Sequence, residues 1–144
     1  MILVLLNVFY DVVMRYLFNN VSIGMQEMEW HLFAGMFLFG IAYTLAEDKH
    51  VRVDIFYEKK KPKTQAWNDM IGCAILVIPM AIIIAYYGFG FALDAYLLEE
   101  SSGDPGGLSM RWIVKSTISI SSILIILSAL LVILRCIKTI QKSG

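Results

Sequence analysis

Between Asp69 and Asp94 the chain reads MIGCAILVIPMAIIIAYYGFGFAL, an uncharged stretch of 24 residues (70–93). As a helix it would be about 36 Å long at ~1.5 Å per residue, enough to cross a hydrocarbon core of about 30 Å. A second uncharged stretch, 116–134, runs 19 residues between Lys115 and Arg135. Both read as membrane spans, and the rest of the chain is read from them. The 144 residues are 58% hydrophobic and 17% charged, where a soluble domain has about 45–50% and about 25%. So small a domain has too little interior to hide the surplus, which excludes a soluble globular domain, and so much apolar surface excludes a disordered chain. Twelve basic residues balance twelve acidic ones, so no global field points to nucleic acid as a partner.

Upstream, residues 30–46 lie between Glu29 and Glu47 and are interrupted only by His31. The N-terminal apolar pattern continues past Asp11 and Arg15 to Phe18, with no basic segment before it and no small-x-small cleavage site after it. It reads as a first span whose N-terminal flank is short or missing. The expected fold is therefore an all-α integral membrane protein. A single domain over 1–144 would have four transmembrane helices, at approximately 2–18, 26–46, 67–97 and 111–137. Lys49, Arg52, Lys59, Lys60, Lys61, Lys63, Arg135, Lys138 and Lys142 fall on one side of such a topology, against Arg15, Arg111 and Lys115 on the other. The positive-inside rule makes the first side cytoplasmic, both termini included.

The connections differ in character. Residues 19–25 form a brief outer turn in which Ser22 or Gly24 could cap the second helix, with Glu27 and Glu29 in its first turn. In the cytoplasmic connection 47–63, His50, Val51, Arg52, Val53 and Asp54 lead into Ile55 and Phe56 with apolar and charged residues alternating. That pattern suits a short amphipathic elbow at the interface, with membrane lipids as its partner. Pro62 fits the first turn of the third helix. The outer loop 98–110 holds Asp104-Pro105-Gly106-Gly107, a strong turn signal.

No catalytic or metal constellation is visible. Cys73 and Cys136 sit in apolar runs, His31 and His50 lie in different segments, and the serines of the fourth helix have no histidine beside them. No cofactor is expected: haem ligation wants a second buried histidine, which this chain does not offer. Pro79 reads as a tolerated kink. Asp11 and Arg15 are i, i+4 neighbours with Asn7 one turn earlier. They make either an outer-end pair with Arg15 snorkelling or a stripe that faces another membrane subunit. Gly35, Gly40, Gly88 and Gly90 favour close packing against such a subunit. Arg111 and Lys115, at a helix end that disfavours cations, call for Glu99, Glu100, Asp104 or a lipid phosphate as partners.

Four strings then carry a family resemblance. They are Phe9-Tyr10-Asp11-Val12-Val13-Met14-Arg15-Tyr16-Leu17-Phe18, Glu27-x-Glu29-Trp30-His31-Leu32, His50-Val51-Arg52-Val53-Asp54, and Asp104-Pro105-Gly106-Gly107-Leu108-Ser109-Met110-Arg111-Trp112 through Lys115. In this order the chain resembles the small (DctQ-like) membrane subunit of TRAP transporters, the tripartite ATP-independent periplasmic family. Members carry a longer basic segment before the first span, and many place a proline where Ser22-Ile23-Gly24 stands here.

The resemblance implies a bacterial inner-membrane scaffold with no site of its own. Its partners would be a large (DctM-like) membrane subunit, which moves substrate on a sodium or proton gradient, and a periplasmic protein that delivers an organic acid. Glu27, Glu29, Asp104, Arg111 and Lys115 would then form the periplasmic docking surface. Two other readings are a membrane anchor subunit of a respiratory oxidoreductase and a stand-alone small exporter.

Overall fold

The computed structural model describes residues 1–47 and 62–142, and among these every regular element is helical. The order is α1 (Ile2–Leu17), α2 (Ile23–Ala46), α3 (Pro62–Gly72), a π-helical turn (Cys73–Val77), α4 (Ile78–Leu97) and α5 (Trp112–Lys142). The elbow residues His50, Val51, Arg52, Val53 and Asp54 lie outside the described residues.

Among the described residues two helical runs are long and apolar enough to cross a membrane, Lys63–Leu97 and Trp112–Gln141. These contain the two uncharged stretches. α1 has 16 residues, about 24 Å at ~1.5 Å each. α2 has 24 residues but places Glu27, Glu29 and His31 in its opening turns. The wide turn before α4 has a local cause. Proline at 79 has no N–H, and its ring presses on the carbonyl one turn back. Just upstream the ladder opens, and the Ile78 N–H reaches Cys73 O, five residues away rather than four.

One expectation is corrected. α2 begins at Ile23, so Glu27 and Glu29 fall beyond its first turn, which has no acidic residue. Ser22 is the cap, accepting from the Met25 N–H at 3.4 Å. Gly24 lies inside the helix, where a side chain would come within 3.2 Å of the Gly106 carbonyl.

The chain's contacts divide into two compact units. The first comprises Met1–Leu38 and Tyr87–Ser119. Here Asn7 on α1 donates from Nδ2 to the Met25 carbonyl of α2 at 2.9 Å. α4 and α5 approach closely at Gly88, where a Cβ would stand 2.9 Å from Ser119 Oγ and 3.1 Å from Ile118 Cγ2. The second unit comprises Phe39–Tyr86 and Ile120–Gly144. Its centre is Ala66, Cys73, Ala129, Val132 and Cys136, edged by Leu45, Met70, Val77, Ile78 and Ile133. Ser128 donates to Ala42 O at 2.9 Å. Arg135 donates from Nη1 to Ala46 O at 2.6 Å, which satisfies a carbonyl that the end of α2 leaves without a helical partner.

The buried set is small or polar: alanines, Cys73, Cys136, Val132, four serines, Asn7 and Asp11. Ser121 is the largest side chain with almost no exposure. Large apolar side chains such as Ile75, Leu76, Tyr86, Phe89, Leu130 and Leu134 face outward. A water-soluble protein does the reverse. Small residues let helix backbones approach closely where lipid, not water, surrounds them. We expect Ala129→Leu, at a position with no exposed surface, to destabilise the chain by about 1–3 kcal/mol through overpacking. Leu130→Ala beside it, 46% exposed, should change stability by less than about 0.5 kcal/mol. Thermal unfolding of the detergent-solubilised protein measures both.

Candidate functional site

The polar chemistry of the first unit gathers where α2 and α5 begin, and the connection between α4 and α5 organises it. α4 ends with Glu99 in the left-handed region (φ 47°) and the Glu100 N–H on Ala95 O at 2.9 Å, a Schellman-type stop. The next turn is closed by the Gly107 N–H on Asp104 O at 3.0 Å. Pro105 sits at its second position and Gly106, with φ 84°, at its third, the residues that a type II turn demands. The Ser102 N–H on Leu108 O at 3.0 Å and the Arg111 N–H on Glu100 O at 3.2 Å close the loop at its base.

Glu27 fastens that loop to α2. Its Oε1 accepts from the Ser102 hydroxyl, and its Oε2 accepts from the Leu108 N–H at 2.7 Å. Hydrogen bonds to a carboxylate are roughly twice as strong as neutral ones. Gly107 is required for space: a Cβ there would collide with Ser102 and stand 2.9 Å from Glu27 Oε2.

Glu100 is the acid that both cations find. Lys115 Nζ donates to its Oε2 and also lies 3.8 Å from the Phe91 ring centroid, a cation–π contact. Arg111 Nη1 stands 3.9 Å from Glu100 Oε1. Trp112 packs edge-on against Tyr96 with centroids 5.5 Å apart. His31 is half-buried and shares a cleft wall with Glu27 and Arg111; Glu29 is half-buried as well.

On α1, Asp11 is 5% exposed and paired with Arg15, whose side chain is 42% exposed. Asn7 and Asp11 therefore turn toward this chain's own residues, and only the Arg15 head is open. Of the four glycines expected to pack against a partner, Gly88 is occupied by α5, whereas Gly35, Gly40 and Gly90 have open space around them. Sequence reasoning missed Ser102, which lies 75 residues from Glu27 with no local pattern to join them. It also counted Arg135 only as a positive charge. Among the described residues no three His, Cys, Asp or Glu side chains gather as a metal site.

A helical chain with small residues inside, large apolar ones outside and two helices able to cross a membrane is a membrane protein whose polar residues tie its own segments together. Residues 4–139 match the family described as tripartite ATP-independent periplasmic transporters, DctQ component. The chain belongs to that family and is the small subunit of a TRAP transporter, a transport component rather than the anchor of a respiratory oxidoreductase. A Haemophilus influenzae relative that carries the name TRAP transporter small permease protein is 31% identical over 118 residues, covering 82% of this chain and 73% of that one.

Replacing Glu27 by Gln removes the charge from two hydrogen bonds of a kind worth about 1.5–3 kcal/mol each. We expect faster proteolysis and faster amide exchange across residues 100–110. Gly107→Ala should produce the same loosening by displacing Ser102. Gly103→Ala, with open space around it, should leave the loop as it is.

Proposed function

We propose that this chain is the static scaffold of a TRAP-type secondary transporter, a single four-span domain in the bacterial inner membrane. It packs against the large membrane subunit, which takes up an organic acid delivered by a periplasmic binding protein and driven by a cation gradient. The observation that carries this reading is family membership across nearly the whole chain. It fits helices with large apolar surfaces outside.

In this arrangement α1 and α2 complete the four spans. Both termini and the connection 47–63 are cytoplasmic, while the loop 98–110 is periplasmic, in line with the distribution of basic residues. Gly35, Gly40 and Gly90 meet the large subunit by close approach, and the Asp11–Arg15 pair adds a polar contact at its edge. Gly88 supports that surface from within. The clamped loop and the start of α2, with Glu27, Glu29, Asp104, Arg111 and Lys115, form the surface that meets the binding protein. Rigid presentation of a loop is what such recognition requires.

A membrane-impermeant thiol reagent added to intact cells should label Asp104→Cys and spare Lys60→Cys; the opposite pattern would invert the topology. We expect the wild-type chain to co-purify with the large subunit and to transport nothing alone in liposomes. The charge reversal Asp104→Lys should leave that complex assembled and lower uptake at least tenfold. Unchanged uptake would remove the loop from the docking surface.

A further inference from the structure

Beneath the clamp the first unit contains a cleft of about 790 Å³, which the scaffold role does not require. That volume is typical of small-molecule sites, about 300–1,000 Å³. Its mouth carries both signs of charge, Glu27 and Asp104 with Arg111 and Lys115, and its deeper walls include Ala34, Leu38, Val114 and Ile118. From Glu27 to Leu38 the helix advances about 16 Å at ~1.5 Å per residue, close to one leaflet of a hydrocarbon core of about 30 Å.

The mouth is only half matched. Glu27 is held by Ser102 and Leu108, and Lys115 by Glu100. Arg111 remains beyond hydrogen-bond distance of Glu100, at 3.9 Å, with 41% of its side chain exposed. Asp104 is exposed on the loop. A purely anionic headgroup would meet Arg111 but also the two carboxylates. A headgroup with phosphate and ammonium matches both signs.

We infer that the cleft holds one zwitterionic phospholipid of the ethanolamine type. Its phosphate lies against Arg111, its ammonium between Asp104 and Glu27, and one acyl chain runs along Ala34, Leu38 and Ile118. The inference rests on reading α2 and α5 as spans, but not on the scaffold role, which co-purification with the large subunit tests separately.

The test is native mass spectrometry of the full chain, purified in mild detergent and offered phosphatidylethanolamine, phosphatidylglycerol or diacylglycerol with identical tails. One phosphatidylethanolamine should be retained, with at least tenfold preference over each of the others. Ala34→Trp, which fills the cleft, should cut that retention at least tenfold. Arg111→Gln should weaken both phospholipids several-fold. Asp104→Lys, on an exposed loop where folding is not at stake, should shift the preference to phosphatidylglycerol. Equal binding of the three lipids would overturn the site, as would full retention by Ala34→Trp or an unchanged preference in Asp104→Lys. A cross-link from Ala34→Cys to the large subunit in the assembled complex would show a protein occupant and overturn it too.

Discussion

Where lipid replaces water as the surroundings, burying a leucine gains little over leaving it among acyl chains. What remains to hold helices together is close approach, and this chain is built on it. Ala66, Cys73, Ala129 and Cys136 form the centre of one unit. In the other, Gly88 brings α4 within contact of Ser119 on α5. With small residues committed inward, the bulky ones have only the outside left, and a wide apolar surface becomes available to lipid and to a larger partner.

Close packing alone would let helices slide, and polar contacts set their register. In the first unit Asn7 fixes α1 on the Met25 carbonyl, and Glu27 holds the loop that follows α4. In the second, Ser128 and Arg135 reach the Ala42 and Ala46 carbonyls. The bonds of Asn7, Glu27 and Ser128 are part-buried or buried, where an unpaired polar atom would be costly, so each is both a tie and a constraint on alternatives. Glu100 shows the same economy, since one carboxylate faces two cations that the start of a helix does not favour.

Most of what was legible in the sequence was local. The uncharged stretches named two helices, Pro105 and Gly106 named their turn, and the crowding of Arg111 and Lys115 called for an acid, with Glu100 among the candidates. Local pattern failed at two kinds of place. It offered both Ser22, the actual cap, and Gly24 for the start of α2, and by placing Glu27 in the first turn it assigned that residue to the helix's own N–H groups rather than to a loop 75 residues away. It also could not say which side a small residue faces: Gly88 and the buried serines are used within the chain, while Gly35, Gly40 and Gly90 stay open. Periodicity shows that a face exists. What lies against it is decided by segments far away in the chain.

The Arg135–Ala46 contact also bears on synthesis. Its partners are 89 residues apart, and at about 5–20 residues per second on the ribosome the carbonyl end of α2 waits about 4–18 s for its guanidinium. Glu27 likewise waits for Ser102 and Leu108. Until the last helix emerges, the carbonyl end of α2 lacks its native partner, and a nascent chain halted before it would depend on water, headgroups or an insertase to cover that end. Maturation of the early half is thus gated by translation of the late half.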